Sequence, residues 1–231
     1  MKHISIIGCG WLGKPLSQEL SLDLHVECYE RDKTQDNSSF YHCDTMIIAI
    51  NPKHNYLQTL SKIAELTKPT CRVILMSSTS VYKEFDCEID ESAVITKTSL
   101  QKEAEELMQA LKDSVVILRL GGLMGEDRIS GKWKSSSSFA DGFVNYIHRD
   151  DVIKITKELI QSSYTNGIYN LVAPKHPLRS EVHKKNSEGF GFELGEFEGN
   201  SYRIVNSDKI IKELNYTFLY PDPLYMWSKK V

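Results

Sequence analysis

Several things are missing from this 231-residue chain, and each absence narrows what it does. There is no Cys-x-x-Cys pair: the five cysteines, Cys9, Cys28, Cys43, Cys71 and Cys87, are odd in number and scattered. That spacing excludes the common zinc-ribbon and zinc-finger frameworks. It reads as reduced, mainly structural thiols in a cytoplasmic protein with no metal. There is no excess of basic charge; the net charge of −3 offers no field for nucleic acid or an anionic membrane. No apolar run approaches the length of a membrane span. The first residues begin a strand at once and lack the layout of a signal peptide. Neither an internal repeat nor a linker divides the chain. Residues 1–231 therefore read as one domain, with residues from about 174 contributing a small lobe.

What is present begins at the N-terminus. Lys2-His3-Ile4-Ser5-Ile6-Ile7 reads as a short buried strand, and Gly8-Cys9-Gly10-Trp11-Leu12-Gly13 follows it as G-x-G-x-x-G. Lys14 to Leu20 then reads as a helix, with Leu12, Leu16 and Leu20 four apart on one face. Strand, glycine turn and helix in that order predict a dinucleotide site. Gly8 permits the tight turn, Gly10 lets a pyrophosphate approach the backbone, and Gly13 lets the helix pack close to the strand. The amides of the turn, Trp11 and Leu12 included, then meet the phosphates at the helix start.

His25 to Arg31 reads as the second strand. Glu30 stands about 20 residues beyond the first glycine, where an acid grips the ribose 2′-hydroxyl of NAD. Arg31 follows, and an Arg there holds the 2′-phosphate of NADP. The cofactor is thus NAD or NADP. Residues Asp32 to Asp44 leave room for a loop and a small strand at Phe40-Tyr41-His42, so the first nucleotide-binding half is abbreviated. Thr45 to Ile50 is a buried strand stopped by Asn51-Pro52. Its carboxyl end, Ile50 and Asn51, belongs beside the cofactor. Tyr56 to Lys68 reads as a helix, with Leu57, Leu60 and Ala64 inward. Cys71 to Met76 is the next strand, with Ser77-Ser78-Thr79-Ser80 at its carboxyl end.

Thr98 to Lys112 is an amphipathic helix whose expected buried stripe is Leu100, Ala104, Leu107 and Leu111. Lys102, Glu103, Glu105 and Glu106 read mainly as its solvated face. Val115 to Leu120 is another strand. Glu126 to Gly142 reads as a mobile surface loop. Asp150 or Asp151 is placed to cap the following helix. His148 reads first as a packed, hydrogen-bonded histidine. A late strand at Gly167 to Val172 and a helix at Ser207 to Leu214 complete the pattern. Strands alternating with helices predict an α/β chain, a Rossmann-type doubly wound parallel sheet with a small C-terminal substrate lobe.

The motifs together resemble the extended short-chain dehydrogenase/reductase superfamily, the group with NAD-dependent epimerase/dehydratase proteins. The matching pieces are the glycine turn, Ser77 to Tyr82, Arg119 to Gly125, Asn145 to Asp151 and Gly167 to Leu171, in the family order. Gly10-Trp11-Leu12-Gly13 and Ala173-Pro174-Lys175-His176-Pro177 are similar to an atypical branch. The resemblance implies a Ser, a Tyr and a Lys four residues after the Tyr as the catalytic set. Carried over by motif, the serine is Ser78 and the lysine Lys102, which would hold the nicotinamide ribose. The tyrosine slot holds Thr98, whose aliphatic hydroxyl is far less acidic than a phenol of pKa about 10. The acid/base is then Thr98, Tyr82, His148 or a water. The resemblance implies an oxidoreductase or epimerase acting on a small or nucleotide-linked polyol or carbonyl substrate, and a homodimer formed through helices like Thr98 to Lys112. The alternative is a non-catalytic NAD(P)-binding sensor or interaction module.

Overall fold

The computed structural model describes residues 2–30, 38–53, 55–83, 85–132 and 138–227. Its backbone follows the apolar runs. The first strand, β1 (His3–Ile7), leads into α1 (Gly13–Leu20), then β2 (His25–Tyr29), α2 (Ser38–Tyr41), β3 (Thr45–Ile48), α3 (Tyr56–Leu66) and β4 (Arg72–Ser78). A 3-10 turn at Thr79–Tyr82 and the short β5 (Glu88–Ile89) precede α4 (Leu100–Leu111) and β6 (Val115–Leu120). Next come β7 (Gly122–Met124), β8 (Ser138–Gly142), β9 (Tyr146–His148), α5 (Arg149–Gln161) and β10 (Gly167–Leu171). The chain ends with α6 (Arg179–Phe190), β11 (Glu196–Ser201), β12 (Ile204–Val205) and α7 (Asp208–Leu214).

Six strands form one parallel sheet in the order β10-β6-β4-β3-β1-β2. Its central strands are buried on both faces, which explains their continuous apolar character. Ile4, Ile6, Met46, Ile47, Ile48, Val73, Ile74 and Leu75 are all fully buried. The chain starts at β1, turns out to the edge at β2, and crosses back to β3 on the other side of β1. The order therefore reverses between β1 and β3. In open α/β sheets, ligands bind outside the carboxyl ends of the strands at such a reversal.

The molecule divides into two compact units. The first comprises residues 1–81, 94–119 and 153–169 and holds most of this sheet with α1 to α4. Its core joins Ile7, Phe40, Met46, Ile48, Leu60, Ile63, Val73, Leu75, Ala104, Met108 and Ile117. Each buried aliphatic side chain contributes about 1.5–3 kcal/mol. The second unit comprises residues 82–93, 120–152 and 170–231. It gathers the C-terminal residues from 170 onward, and with them two earlier insertions that follow β4 and β6. Of three two-stranded parallel pairs, β5 with β12 and β8 with β11 tie the two insertions to the C-terminal chain, and β7 with β9 closes the second insertion on itself.

Several local expectations are corrected. Phe40 and Tyr41 lie in the single helical turn α2, with Phe40 edge-on to Tyr29 at 4.7 Å between ring centroids, and form no strand. The inner face of α4 is Ala104, Glu105 and Met108, while Leu100 and Leu111 are 38% and 47% exposed. Within 126–142, Ser138–Gly142 is a strand paired to β11; residues 133–137 lie outside the described residues. Asp151 does not act as a helix cap. Its buried carboxylate accepts from the Tyr216 hydroxyl (2.7 Å), the Leu219 amide (2.7 Å) and the Tyr220 amide (3.1 Å), so it fastens the C-terminal segment.

Candidate functional site

The site is assembled around the turn from β1 to α1. Gly8 sits at φ +106°, and a Cβ there would lie 2.5 Å from the Ala49 carbonyl oxygen and 3.0 Å from the Ile50 amide nitrogen. Only glycine fits such a conformation against a neighbouring strand end. Gly13 is as constrained: a Cβ would stand 2.2 Å from the Gly8 carbonyl oxygen. Gly10 is different, since among the described residues beyond its chain neighbours no atom lies within 4 Å of the place its Cβ would take. One glycine makes the turn, one lets the helix close on it, and the middle one leaves its backbone open to an approaching group. The Gly8 and Cys9 amides both donate to the Tyr29 carbonyl, at 2.8 and 3.1 Å, which hangs the turn from β2. The N-cap of α1 is Leu12, whose side chain makes no cap hydrogen bond. A helix start without a capping side chain suits a phosphate. The residues present therefore fit the pyrophosphate of a dinucleotide.

The structure brings Gly8, Gly13 and Ile50 into direct apposition at the β1/β3 reversal, with Asn51 exposed just beyond. Trp11 is half-buried in the turn and Glu30 is exposed past the end of β2. Arg31 lies outside the described residues. Cys9 and Cys28 are joined as a disulfide. The expectation of reduced thiols is corrected at these two positions, because the turn carries Cys9 to a Cα–Cα distance of 5.5 Å from β2. Cys43, Cys71 and Cys87 are free thiols.

Ser78 ends β4, and its hydroxyl accepts the Ser80 amide at 3.1 Å, which fixes the following turn. Thr98 is exposed and lies outside α4, because Ser99 is the N-cap and accepts the Lys102 amide at 3.2 Å. Thr98 and Lys102 thus do not share a helical face. Lys102 instead forms an i,i+4 ion pair with Glu106. Tyr82, in the second unit, is fully buried and donates its phenol to Asn170 Oδ1 at 3.1 Å. His148, in the same unit, stacks on Tyr220 at 3.7 Å, and its Nδ1 accepts the Asp150 amide at 3.2 Å. Both side chains are thus held in contacts within the second unit.

One polar assembly escaped the sequence reading. Ser77, the neighbour of Ser78, donates to Glu105 on α4, and Glu105 receives Arg119 of β6. Arg119 Nε lies 3.1 and 3.2 Å from the two carboxylate oxygens, and Nη2 lies 2.7 Å from Oε2. Glu105 and Arg119 are 2% and 4% exposed. Successive strand residues face opposite sides of a sheet. Ser77 turns to the α4 side, and Ser78 to the other. A separate cavity of about 400 Å³ lies within the second unit, lined by Phe85, Cys87, Ile89, Asp90, Ser92 and Asn206 among others.

The reversed sheet order and the glycine turn define a doubly wound, Rossmann-type α/β fold, and comparison with solved structures agrees. The Bacillus cereus UDP-glucuronic acid 4-epimerase in complex with NAD superposes with a TM-score of 0.73 at 15% identity, covering 97% of this chain and 96% of its own. The human epimerase family protein SDR39U1 (isoform 2) with NADPH gives 0.70 at 12% identity, covering 97% of each chain. Among curated proteins, Protein YeeZ of Escherichia coli (strain K12) is 28% identical across 98% of this chain and 99% of its own length. No family model matches the chain. Among the described residues no helix is long and apolar enough to cross a membrane.

Proposed function

We propose that this chain binds NAD or NADP at the β1–α1 turn and acts as an oxidoreductase or epimerase of the short-chain dehydrogenase/reductase type. Its substrate would be a small or nucleotide-linked polyol or carbonyl compound. The observation that carries the reading is the contrast among the three glycines: Gly8 and Gly13 have no room for a side chain, while Gly10 faces open space. The NAD and NADPH of the two superposed epimerase-type structures are consistent with it. When bound, the cofactor supplies hydride transfer. In this reading the chain's own residues position the reactants: the Ser78 hydroxyl orients a substrate oxygen and Lys102 holds the ribose, exchanging its Glu106 partner for it. With Tyr82 and His148 engaged in buried contacts, the proton is carried by Thr98 or a bound water. The reading includes a cytoplasmic setting and a homodimer.

The test is calorimetric titration of NAD, NADH, NADP and NADPH into the wild-type chain and into Gly10→Val. The place of the added Cβ is clear of other described residues, so the fold should tolerate the substitution while the side chain shields the backbone from pyrophosphate. Micromolar binding of one dinucleotide by the wild type, weakened at least about tenfold in the variant, supports the site. Absence of binding at millimolar concentration refutes it.

A second reading is favoured by a separate observation. The slot that needs a phenol holds Thr98, outside the helix, and the buried phenol of Tyr82 is held by Asn170. That arrangement suits a module that binds NAD(P) without turning it over. Consumption of NADPH or NADH with a panel of nucleotide sugars and simple carbonyls separates the two readings, since steady turnover excludes the module.

A further inference from the structure

At the opposite end of β1 from the glycine turn, the first two strands bring together three metal-binding side chains. His3 opens β1 and His25 opens β2, and parallel pairing sets them side by side. Glu27 is two residues beyond His25, so it projects from the same face of the sheet. His3 Nε2 stands 3.2 Å from Glu27 Oε1. The two imidazole rings lie 4.7 Å apart at 42°. One donor atom from each of the three falls within 4.8 Å of the others. From this geometry we infer that His3, His25 and Glu27 form a three-ligand site for a divalent transition metal of the zinc class, with water completing the coordination.

The distances suit such an ion. With zinc bonds of about 2.0–2.1 Å, neighbouring donors of a tetrahedral site stand about 3.3 Å apart. His3 and Glu27 are at that separation already. His25 is exposed, so rotation about its side-chain torsions brings its ring in without moving the backbone. The donor chemistry agrees: two imidazoles and one carboxylate are a common set for zinc, with a fourth position left open.

The surroundings leave the donors available to a metal. The Ser5 hydroxyl is 3.5 Å from His3 Nε2, but it donates to the Phe40 carbonyl at 2.6 Å and so does not use its proton on the ring. The Tyr29 hydroxyl donates to Glu27 Oε2 at 3.4 Å, orienting the carboxylate with Oε1 toward the histidines. Such outer partners hold ligands in place at metal sites. The edge position of β2 matters too, because among the described residues no further strand pairs with it and α2 is a single turn.

A metal here would clamp the amino ends of β1 and β2. It would lie about 17 Å along the strand from the glycine turn, taking roughly 3.3 Å per residue over five residues. It is therefore a site separate from the dinucleotide turn, and it stands or falls independently of cofactor binding.

The experiment uses the full chain in a Cys87→Ser background, freed of metal with a chelator that is then removed, and without added thiol. Zinc chloride is titrated by calorimetry, and cobalt(II) binding is followed by its visible absorption. The expected result is one site per chain with four-coordinate cobalt absorption. His25→Ala and Glu27→Gln should each weaken binding at least about tenfold, the range for disturbed metal shells, and a control His176→Ala should leave it unchanged. Because His25 is exposed, its removal leaves the fold intact. No stoichiometric binding at micromolar zinc overturns the proposal, and so does binding of equal strength in both ligand variants.

Discussion

Replacing Glu105 by Gln tests the buried network beneath Ser78. The carboxylate is 2% exposed and receives the Arg119 guanidinium through two nitrogens, as well as the Ser77 hydroxyl. The substitution keeps the volume and removes the charge, which leaves a guanidinium at 4% exposure facing a neutral amide. Breaking one side of such a pair costs about 3–5 kcal/mol, because the surviving charge stays buried. For a chain of this size each kcal/mol lowers the melting temperature by about 2–4 °C. Glu105→Gln should therefore melt about 6–20 °C below the wild type. The double variant Glu105→Leu/Arg119→Met removes both charges and should recover most of that loss, since a packed apolar pair of similar volume often matches a buried ion pair. Urea denaturation of the wild type, the singles Glu105→Leu and Arg119→Met, and the double variant gives the coupling energy. A coupling of about 3 kcal/mol is expected. If the single costs simply add, or if Glu105→Gln loses less than about 1 kcal/mol, the network does not hold α4 to β6 as described.

Three further outcomes are expected. Gly13→Ala should destabilise by about 1–3 kcal/mol through overpacking against the Gly8 carbonyl, whereas Gly10→Ala should fall within about 0.5 kcal/mol of wild type; equal melting of the two would contradict the turn geometry. Asp151→Ala strands the Tyr216 hydroxyl and two backbone amides, each a loss of about 1–3 kcal/mol, and should expose 215–220 to limited proteolysis, which unchanged protection would rule out. Burial, with the Arg179 guanidinium next in importance, pushes the His183 imidazole down to about 4. The unfolded chain then binds more protons than the folded one between about pH 6.5 and 4, so stability is complete above that window and falls as pH drops through it. In His183→Phe the melting temperature should fall less steeply over the same window, and an unaltered slope would dismiss the assignment.

The parts legible in the sequence were those where one residue's neighbours settle its environment. The apolar runs at 45–48 and 115–120 could only be strands buried on both faces, and the glycine spacing declared its own turn. What stayed hidden depends on partners far along the chain. Glu105 sits among Lys102, Glu103 and Glu106, and nothing local marks it as the one that turns inward to meet Arg119. Tyr82 finds Asn170, 88 residues later. His3 and His25 meet only because parallel register pairs them. Strands as short as β5 and β12, two residues each, are below any periodic signal. Their pairing is what draws 82–93 into the same unit as the C-terminal chain. The candidate site divides the same way: the glycine turn is written in a short motif, whereas the departure of Thr98 from the α4 helix comes from Ser99 taking the cap.

The bridge from Cys9 to Cys28 has a topological consequence. It spans 19 residues of sequence, so the middle of the glycine turn, all of α1 and most of β2 become one covalent ring. In the chain-entropy view, closing a loop of this length removes about 3 kcal/mol of freedom from the unfolded ensemble. A protease cut inside α1 would nick the ring without releasing a fragment, and the two pieces would separate only after a dithiol is added. While the bond is intact, the glycine turn from Cys9 to Gly13 and β2 as far as Cys28 are carried on one closed loop, whatever the rest of the chain is doing.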